Sequence, residues 1–186
     1  MSGLEPGAEY RFTNAKAGNV MDLSGGDNRS VIGYDWHGGN NQKWRLEKVR
    51  DGPGWVVVNV ATGGYLSVTE NLVDGVQVVV SSDPTQWDIT NDDEDPSVYR
   101  LNVLNTYMSL DLSDHGNPTP GTPVSCWGRW NGRNQCWRLE PGELFVMSHY
   151  TMWPENSYAC VQSNGWLDDG GPSEAALTMW NSGEDL

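Results

Sequence analysis

The phrase QKWRLE at residues 42–47 returns as QCWRLE at residues 135–140, and a weaker copy, TQWDIT, occupies residues 85–90. The tryptophans of the three copies recur at roughly 45-residue intervals, which is typical of a repeat architecture. Short β-branched and aromatic runs keep step with them, and Gly-, Asn- and Asp-rich turns separate these runs. The pattern predicts an all-β chain with four short strands in each repeat.

Three such repeats cannot each bury a core alone, because an isolated strand pair is marginal in water. Arranged around a pseudo-threefold axis, they can share one core and close a barrel that has no exposed sheet edges. We place the repeats at about residues 5–50, 51–96 and 97–140. The tryptophan of each closing phrase is predicted to lie in the shared core rather than to contact a ligand; these residues are Trp44, Trp87 and Trp137.

The threefold Gln-x-Trp phrase, the repeat length and the strand content resemble the ricin-B-type lectins over about residues 5–140. The small size is similar to that of the mushroom members of this group. The resemblance implies a β-trefoil fold in which each repeat can carry one shallow sugar site, built by an acid, an aromatic ring and an Asn-Gln pair. The middle copy departs from the phrase, since Thr85 stands where the glutamine is expected.

These residue types suit a pyranose such as galactose. One face of the sugar consists of C–H groups and packs on an aromatic ring. The opposite edge presents neighbouring hydroxyls, from which a carboxylate accepts strong, charge-assisted hydrogen bonds. An amide both donates and accepts, and therefore matches a hydroxyl that does the same.

The resemblance implies complete sugar sites in two of the three repeats. In the first repeat the acid is Asp22, the stacking ring is Trp36 and the amide pair is Asn41 and Gln42. Gly38 and Gly39 let backbone approach the ligand, and Tyr34 and His37 are rim contacts. In the third repeat the acid is Asp111, the ring is Trp127 and the amide pair is Asn134 and Gln135, with Trp130 and Asn131 nearby. The long loop 113–123 can reshape or cover this site.

The middle repeat is predicted to be a structural unit without a sugar site. Ser67 or Val68 stands in place of the acid, and Pro84 and Thr85 replace the amide pair. A purely structural role stays open for the other two sets as well, because a turn aspartate can bond its own backbone and an Asn-Gln pair can satisfy loop amides.

Composition excludes several other functions. The net charge of −14 argues against nucleic acid and against an anionic membrane surface as partners. No apolar stretch is long enough to span a bilayer. The acidic turn at residues 92–95 lacks the spacing of a calcium loop, so we expect no metal and no cofactor. Without a recognisable catalytic motif, we expect no enzyme activity.

The cellular location is expected to be the cytoplasm. Residues 1–7 have neither the charged nor the apolar region of a signal peptide, and three cysteines are an odd count that favours reduced thiols. Residues 141–186 fall outside the repeats, contain three tryptophans and have no Lys or Arg. We interpret them as an extension that packs on the trefoil or pairs two subunits into a homodimer.

The leading hypothesis is a defensive lectin without enzyme activity that binds glycans ending in galactose or N-acetylgalactosamine. One alternative is a trefoil protease inhibitor that acts through surface loops, for which the loop 113–123 and the acidic turn near Asp92 are the candidates. Another is a trefoil that serves as an interaction module, with binding done by the C-terminal extension.

Overall fold

A computed structural model describes residues 3–68 and 71–142 of the chain, and the regular structure of these residues is almost entirely β-strand. The strands of the first repeat are β1 Glu9–Asn14, β2 Val20–Leu23, β3 Val31–Tyr34 and β4 Trp44–Lys48. Those of the second are β5 Trp55–Asn59, β6 Tyr65–Ser67, β7 Val76–Gln77, β8 Val79–Ser81 and β9 Trp87–Asn91. Those of the third are β10 Tyr99–Val103, β11 Met108–Leu112, β12 Thr122–Gly128 and β13 Trp137–Pro141. The predicted extension lies outside the described residues from residue 143 onward.

The middle repeat has one strand more than predicted, because its third strand is divided at Val78. The N–H of Val78 donates to the carbonyl of Val124, and its own carbonyl accepts from the N–H of Val31. One residue thus connects the middle repeat to both of its neighbours. Short helical turns at Asn40–Gln42, Ser113–Gly116 and Arg133–Gln135 complete the regular structure of the described residues.

Six strands close into a barrel through antiparallel pairs that run from β1 to β4, β5, β9, β10, β13 and back to β1. Six of the remaining strands form a hairpin in each repeat, namely β2–β3, β6–β8 and β11–β12, and β7 pairs with β12. A closed barrel with one hairpin per repeat is the β-trefoil predicted from the repeated phrase, and it removes the barrel's sheet edges.

The three repeated tryptophans lie at the centre of the core, as predicted. Trp44, Trp87 and Trp137 have no exposed surface. Each indole N–H donates to a backbone carbonyl of its own repeat's second strand, at 2.9 Å to Met21, 3.1 Å to Leu66 and 3.2 Å to Leu110. A buried N–H needs a partner, and each indole finds it at the equivalent residue of its own repeat. The three repeats can therefore be aligned residue by residue from this bond.

Cys126 and Cys136 are buried and free, and burial raises the pKa of the Cys126 thiol to about 12, which keeps it unreactive. Within residues 3–68 and 71–142, no helix has both the length and the apolar character needed to cross a membrane.

Candidate functional site

The hairpin β2–β3 places the first candidate acid beside an aromatic ring. Asp22 pairs with Ile32 across the two strands, and Tyr34 lies two residues beyond Ile32. Side chains of directly paired residues, and of residues two apart on one strand, share a face of the sheet. The carboxylate of Asp22 and the ring of Tyr34 therefore lie on the same face.

This face forms an open depression of about 460 Å³. Its lining consists of Asp22, Ser24, Gly25, Gly26, Ile32, Tyr34, His37 and Asn41. The rings of Tyr34 and His37 meet edge to face at 6.4 Å between centroids and form one wall. Asp22 is the one carboxylate in the lining, so the depression offers a single charged acceptor.

The carboxylate of Asp22 is held by polar neighbours but is largely removed from water. The side-chain amide of Asn41 donates to Asp22 Oδ2 at 3.1 Å and to the carbonyl of Leu23 at 3.1 Å. His37 Nε2 lies 3.4 Å from the same oxygen. Burial raises the pKa of Asp22 above its ordinary value, although hydrogen bonds from Gln42, His37 and Asn41 act in the opposite direction.

Trp36, predicted as the stacking ring, does not line the depression. The regular strand ends at Tyr34, so the alternation of side chains does not extend to Trp36. The ring of Trp36 instead lies under the guanidinium of Arg11, at 4.8 Å from its centroid, in a cation–π contact. Tyr34, predicted only as a rim contact, is the ring that faces the acid, and it is 41% exposed.

Gln42 differs from its predicted role at the ligand's edge, because it has no exposed surface. Its amide donates to the carbonyl of Asp35 at 2.7 Å, and its carbonyl accepts from the N–H of His37 at 2.9 Å. Both ends of the side chain therefore hold the loop that carries His37. Gln42 is a positioning residue behind the site.

The two predicted glycines support the same loop. Gly38 adopts a left-handed conformation, with φ of +80°, which other residues rarely tolerate. A Cβ on Gly39 would lie 2.5 Å from Asn41 Oδ1 and 2.7 Å from the His37 ring. Glycine at this second position therefore makes room for two side chains that line the depression.

The third repeat places its predicted residues in the same arrangement. Asp111 pairs with Ser125 across β11 and β12, and Trp127 lies two residues further, in the position that Tyr34 has in the first repeat. Gln135 accepts from the N–H of Trp130 at 3.1 Å, as Gln42 does from His37. Trp127 is 42% exposed, so a ring again lies on the face of the acid.

Asp111 is held by both amides of the pair that precedes Trp137. Its Oδ2 accepts from Asn134 at 2.8 Å and from Gln135 at 3.0 Å. Burial raises the pKa of Asp111 above its ordinary value, against hydrogen bonds from Gln135, Asn134 and the indole of Trp130. Asn134 Oδ1 is buried without a hydrogen-bond partner among the described residues. Such an acceptor is costly unless water or a ligand satisfies it.

The loop at residues 113–123 contacts a ring beside the third site. His115 contacts Trp130 edge to face, with the ring centroids 5.9 Å apart. Asp114 and His115 have φ of 52° and 54°, left-handed values that are uncommon for residues other than glycine. The loop is thus in contact with the ring of Trp130, which hydrogen-bonds Asp111.

The acidic turn at residues 92–95 binds the loop of the third site rather than standing free in solvent. Arg100 donates to Asp92 at 2.5 Å and to the carbonyl of Trp130 at 2.8 Å. Further contacts join Arg129 to Asp93, Asn131 to Glu94 and Arg133 to Asp95, at 3.4, 3.4 and 3.1 Å. No group of His, Cys, Asp or Glu within the described residues is arranged to hold a metal ion.

The middle repeat lacks these features. Ser67, which pairs with Val79, is the structural counterpart of the acid, so of the two residues considered it is Ser67 rather than Val68. Its hydroxyl donates to the carbonyl of Asp83 at 2.5 Å. Ser81 stands where the other repeats have an aromatic ring, two residues beyond Val79.

Known proteins share this fold and parts of this sequence. The family model of the ricin-type β-trefoil lectin domain-like proteins matches residues 3–80 and 40–127. The ricin B-like lectin of Macrolepiota procera, solved in complex with lactose, is 40% identical with a TM-score of 0.72, and the match covers 75% of this chain and 99% of that chain. No curated protein sequence gives a significant match.

Two further solved structures are similar. The Rhizoctonia solani agglutinin is 29% identical with a TM-score of 0.68, over 76% of this chain and 100% of that chain. ThreeFoil, a designed protein with threefold symmetry, is 26% identical with a TM-score of 0.65, over 71% of this chain and 97% of that chain.

Proposed function

Because the chain belongs to the ricin-type β-trefoil lectin family, we propose that it binds glycans that end in galactose or N-acetylgalactosamine, at the depression of the first repeat and at Asp111 of the third. The observation that carries the proposal is the pairing of a buried carboxylate, Asp22, with an exposed ring, Tyr34, on one face of a rigid hairpin. The lactose bound by the Macrolepiota procera lectin supports a galactoside as the ligand.

The hydrogen-bonding groups of the first site are suited to sugar hydroxyls. Asn41 uses its amide N–H groups on Asp22 and Leu23, which leaves its carbonyl oxygen as an acceptor. The second carboxylate oxygen of Asp22 is likewise an acceptor, and charge-assisted bonds to it are the stronger kind. Two neighbouring hydroxyls can donate to these oxygens while the C–H face of the sugar packs on Tyr34.

We expect weak binding at each site, since one ring and a few hydrogen bonds are typical of millimolar to micromolar affinity, or roughly −4 to −8 kcal/mol. Two sites would raise the avidity for a glycan-covered surface without new contacts. The role is binding without catalysis, because a glycosidase usually needs two carboxylates that flank the bond, and the depression has one. A defensive role in the cytoplasm, and a homodimer, are further parts of the proposal.

Protease inhibition is the less favoured function. Both candidate loops are hydrogen-bonded to the rest of the trefoil. In the loop 113–123 the carbonyl of Pro118 accepts from Asn19 at 3.0 Å, and in the acidic turn Asp92 accepts from Arg100. Assays against papain and trypsin test this alternative directly.

Substitution of the two acids tests the proposed sites. We expect Asp22→Asn to weaken galactoside binding at the first site about tenfold to a hundredfold, because it removes charge-assisted acceptors. Asp111→Asn should do the same at the third site. Titration of lactose by NMR, with the indole and amide signals of each site as reporters, measures the two sites separately.

The middle repeat supplies the matched control. Ser67→Ala changes the equivalent position and should leave both affinities unchanged. If the wild-type protein binds neither lactose nor any terminal galactose or N-acetylgalactosamine on a glycan array, the proposed function is wrong. If Asp22→Asn binds as well as wild type at the first site, the site itself is misplaced.

Binding at the first site should also depend on pH. Because the carboxylate form accepts the sugar hydroxyls, affinity should fall as Asp22 becomes protonated. Burial raises the pKa of Asp22, so this loss should occur above the ordinary titration range of an aspartate as pH decreases. Affinity measured in steps across the acidic range tests this, with Asp22→Asn as the variant expected to lose the dependence. An unchanged pH dependence in Asp22→Asn would show that Asp22 is not its source.

A further inference from the structure

The residue that pairs with the core tryptophan across neighbouring strands is asparagine in the two repeats with candidate sites and valine in the repeat without one. Asn59 pairs with Trp44, and Asn14 pairs with Trp137. The equivalent partner of Trp87, in the middle repeat, is Val103. An asparagine thus lies beside each proposed sugar site, and it comes from the neighbouring repeat in both cases.

Asn59 holds the turn that carries Asn41. It has no exposed surface, and its amide donates to the backbone carbonyl of Asn41 at 3.1 Å. Its carbonyl accepts from the N–H of Ala61 at 3.2 Å, so both ends of the side chain are bonded. The side chain of Asn41, fixed at its backbone in this way, then donates to Asp22.

Asn14 makes the same contact at the third site. It is 1% exposed, and its amide donates to the backbone carbonyl of Asn134 at 2.9 Å. Its carbonyl accepts from the N–H groups of Lys16 and Ala17, both at 3.1 Å. Asn134 in turn donates to Asp111 at 2.8 Å. The same chain of contacts therefore leads from each buried asparagine to each acid.

The junction between repeats does not itself need these asparagines. In all three junctions, a backbone N–H that follows the first strand donates to the carbonyl just before the core tryptophan. These bonds join Ala15 to Cys136 at 2.8 Å, Val60 to Lys43 at 3.0 Å and Leu104 to Gln86 at 2.9 Å. The third junction is complete with Val103, which is 8% exposed, in the asparagine's place.

We propose that Asn59 and Asn14 are positioning residues for the sugar sites, each setting the site amide of the adjacent repeat, so that every site is built from two repeats. This inference rests on the proposed function for its meaning, because Asn41 and Asn134 matter only if they meet a ligand. Without the asparagine, the short turn loses the donor to its central carbonyl, and the site amide is no longer held against the acid.

Substitution by valine, the residue found at the equivalent position 103, tests the inference. We expect Asn59→Val to weaken lactose binding at the first site roughly tenfold, the equivalent of one lost hydrogen bond, and to leave the third site within about twofold. Asn14→Val should have the opposite selectivity. Each is measured by NMR titration in the Asp111→Asn and Asp22→Asn backgrounds, which leave one site each. Val103→Asn is the matched control and should change neither affinity.

A second pair of variants guards against loss of folding. Asn59→Ser and Asn14→Ser retain an oxygen that can cap the following turn but cannot reach the site carbonyl. They should show the same site selectivity with a smaller loss of thermal stability. If the variants lower the melting temperature while both affinities stay at wild-type values, the asparagines are merely structural and the inference is wrong.

A measurement without ligand separates this inference from the proposed function. The side-chain amide signals of Asn41 and Asn134 report directly on the bonds to Asp22 and Asp111. Asn59→Val or Asn59→Ser should shift or broaden the Asn41 signal and leave that of Asn134 unchanged. If wild type binds no galactoside but these signals respond as expected, the function fails and the positioning stands. If the signals do not respond, the positioning fails.

Discussion

Replacing Arg100 with methionine is expected to lower the free energy of unfolding by about 3 kcal/mol, the lower end of the range for a broken buried ion pair. The side chains of Arg100 and Asp92 are only 5% and 9% exposed. Methionine fills much of the space but leaves the carboxylate of Asp92 without its counter-ion. The loss stays at the lower end because the backbone N–H groups of Glu94 and Asp95 still bond Asp92, at 3.1 and 3.0 Å.

The same substitution should act on the third site. Arg100 donates to the carbonyl of Trp130, whose indole lowers the pKa of Asp111 by hydrogen bonding. We therefore expect the affinity at the third site to fall several-fold while the first site is unaffected. Urea denaturation measures the stability, and site-resolved titration of lactose measures the affinity.

The exposed pair of the same turn is the matched control. The side chains of Arg129 and Asp93 are 45% and 90% exposed, so Arg129→Met should cost no more than about 1 kcal/mol. Adding Asp92→Asn to Arg100→Met should recover part of the loss, because the uncompensated charge is removed. Equal losses for Arg100→Met and Arg129→Met would contradict the buried ion pair as the cause.

The difference in the free energy of unfolding between wild type and Arg100→Met should also depend on pH. Burial alone would raise the pKa of Asp92, but Arg100 and the backbone N–H groups hold it below its ordinary value. A carboxyl whose pKa is lowered by folding stabilises the protein above its unfolded pKa, and this contribution is lost as pH falls through the folded pKa. The gap between wild type and Arg100→Met should therefore narrow in acid.

The fold could be predicted from the sequence because its determinants are local and repeated. The phrase around Trp44 returns around Trp137, and more weakly around Trp87, in the same strand context. Each copy therefore tests the interpretation drawn from the others. Where a repeat deviates, the cause is a contact between repeats. Val78 divides a strand because its backbone bonds Val124 and Val31, and no pattern within the middle repeat reveals those partners.

The structure places Asp22 and Asp111 at equivalent positions of their hairpins, but it is Tyr34 rather than Trp36 that shares a face with Asp22. The resemblance implies an aromatic ring from just after the third strand, and Trp36 fits that description in the sequence. Alternation from Ile32, the partner of Asp22, would have pointed to Tyr34, and an ungapped comparison with the third repeat aligns Tyr34 with Trp127. The buried asparagines were missed altogether. Their role depends on which carbonyl lies across the junction, and this follows only from the closed barrel.

Replacing Trp87 with alanine is expected to lower the free energy of unfolding by about 3–5 kcal/mol, as for other buried aromatic residues. Trp87 has no exposed surface, and its indole N–H donates to the carbonyl of Leu66. The substitution leaves a cavity and removes the indole donor from a buried carbonyl. Since the middle repeat has no proposed sugar site, this loss separates the tryptophan's part in the core from any part in binding.

Comparison among the tryptophans makes this prediction specific. Trp44→Ala and Trp137→Ala should cost as much as Trp87→Ala, because all three side chains are fully buried and make the same bond to the second strand. Trp36→Ala should cost less than about 1 kcal/mol, since its ring is 43% exposed and contacts Arg11 at the surface. Urea denaturation of the four variants measures these differences. A loss for Trp87→Ala no larger than for Trp36→Ala would contradict a core shared equally by the three repeats.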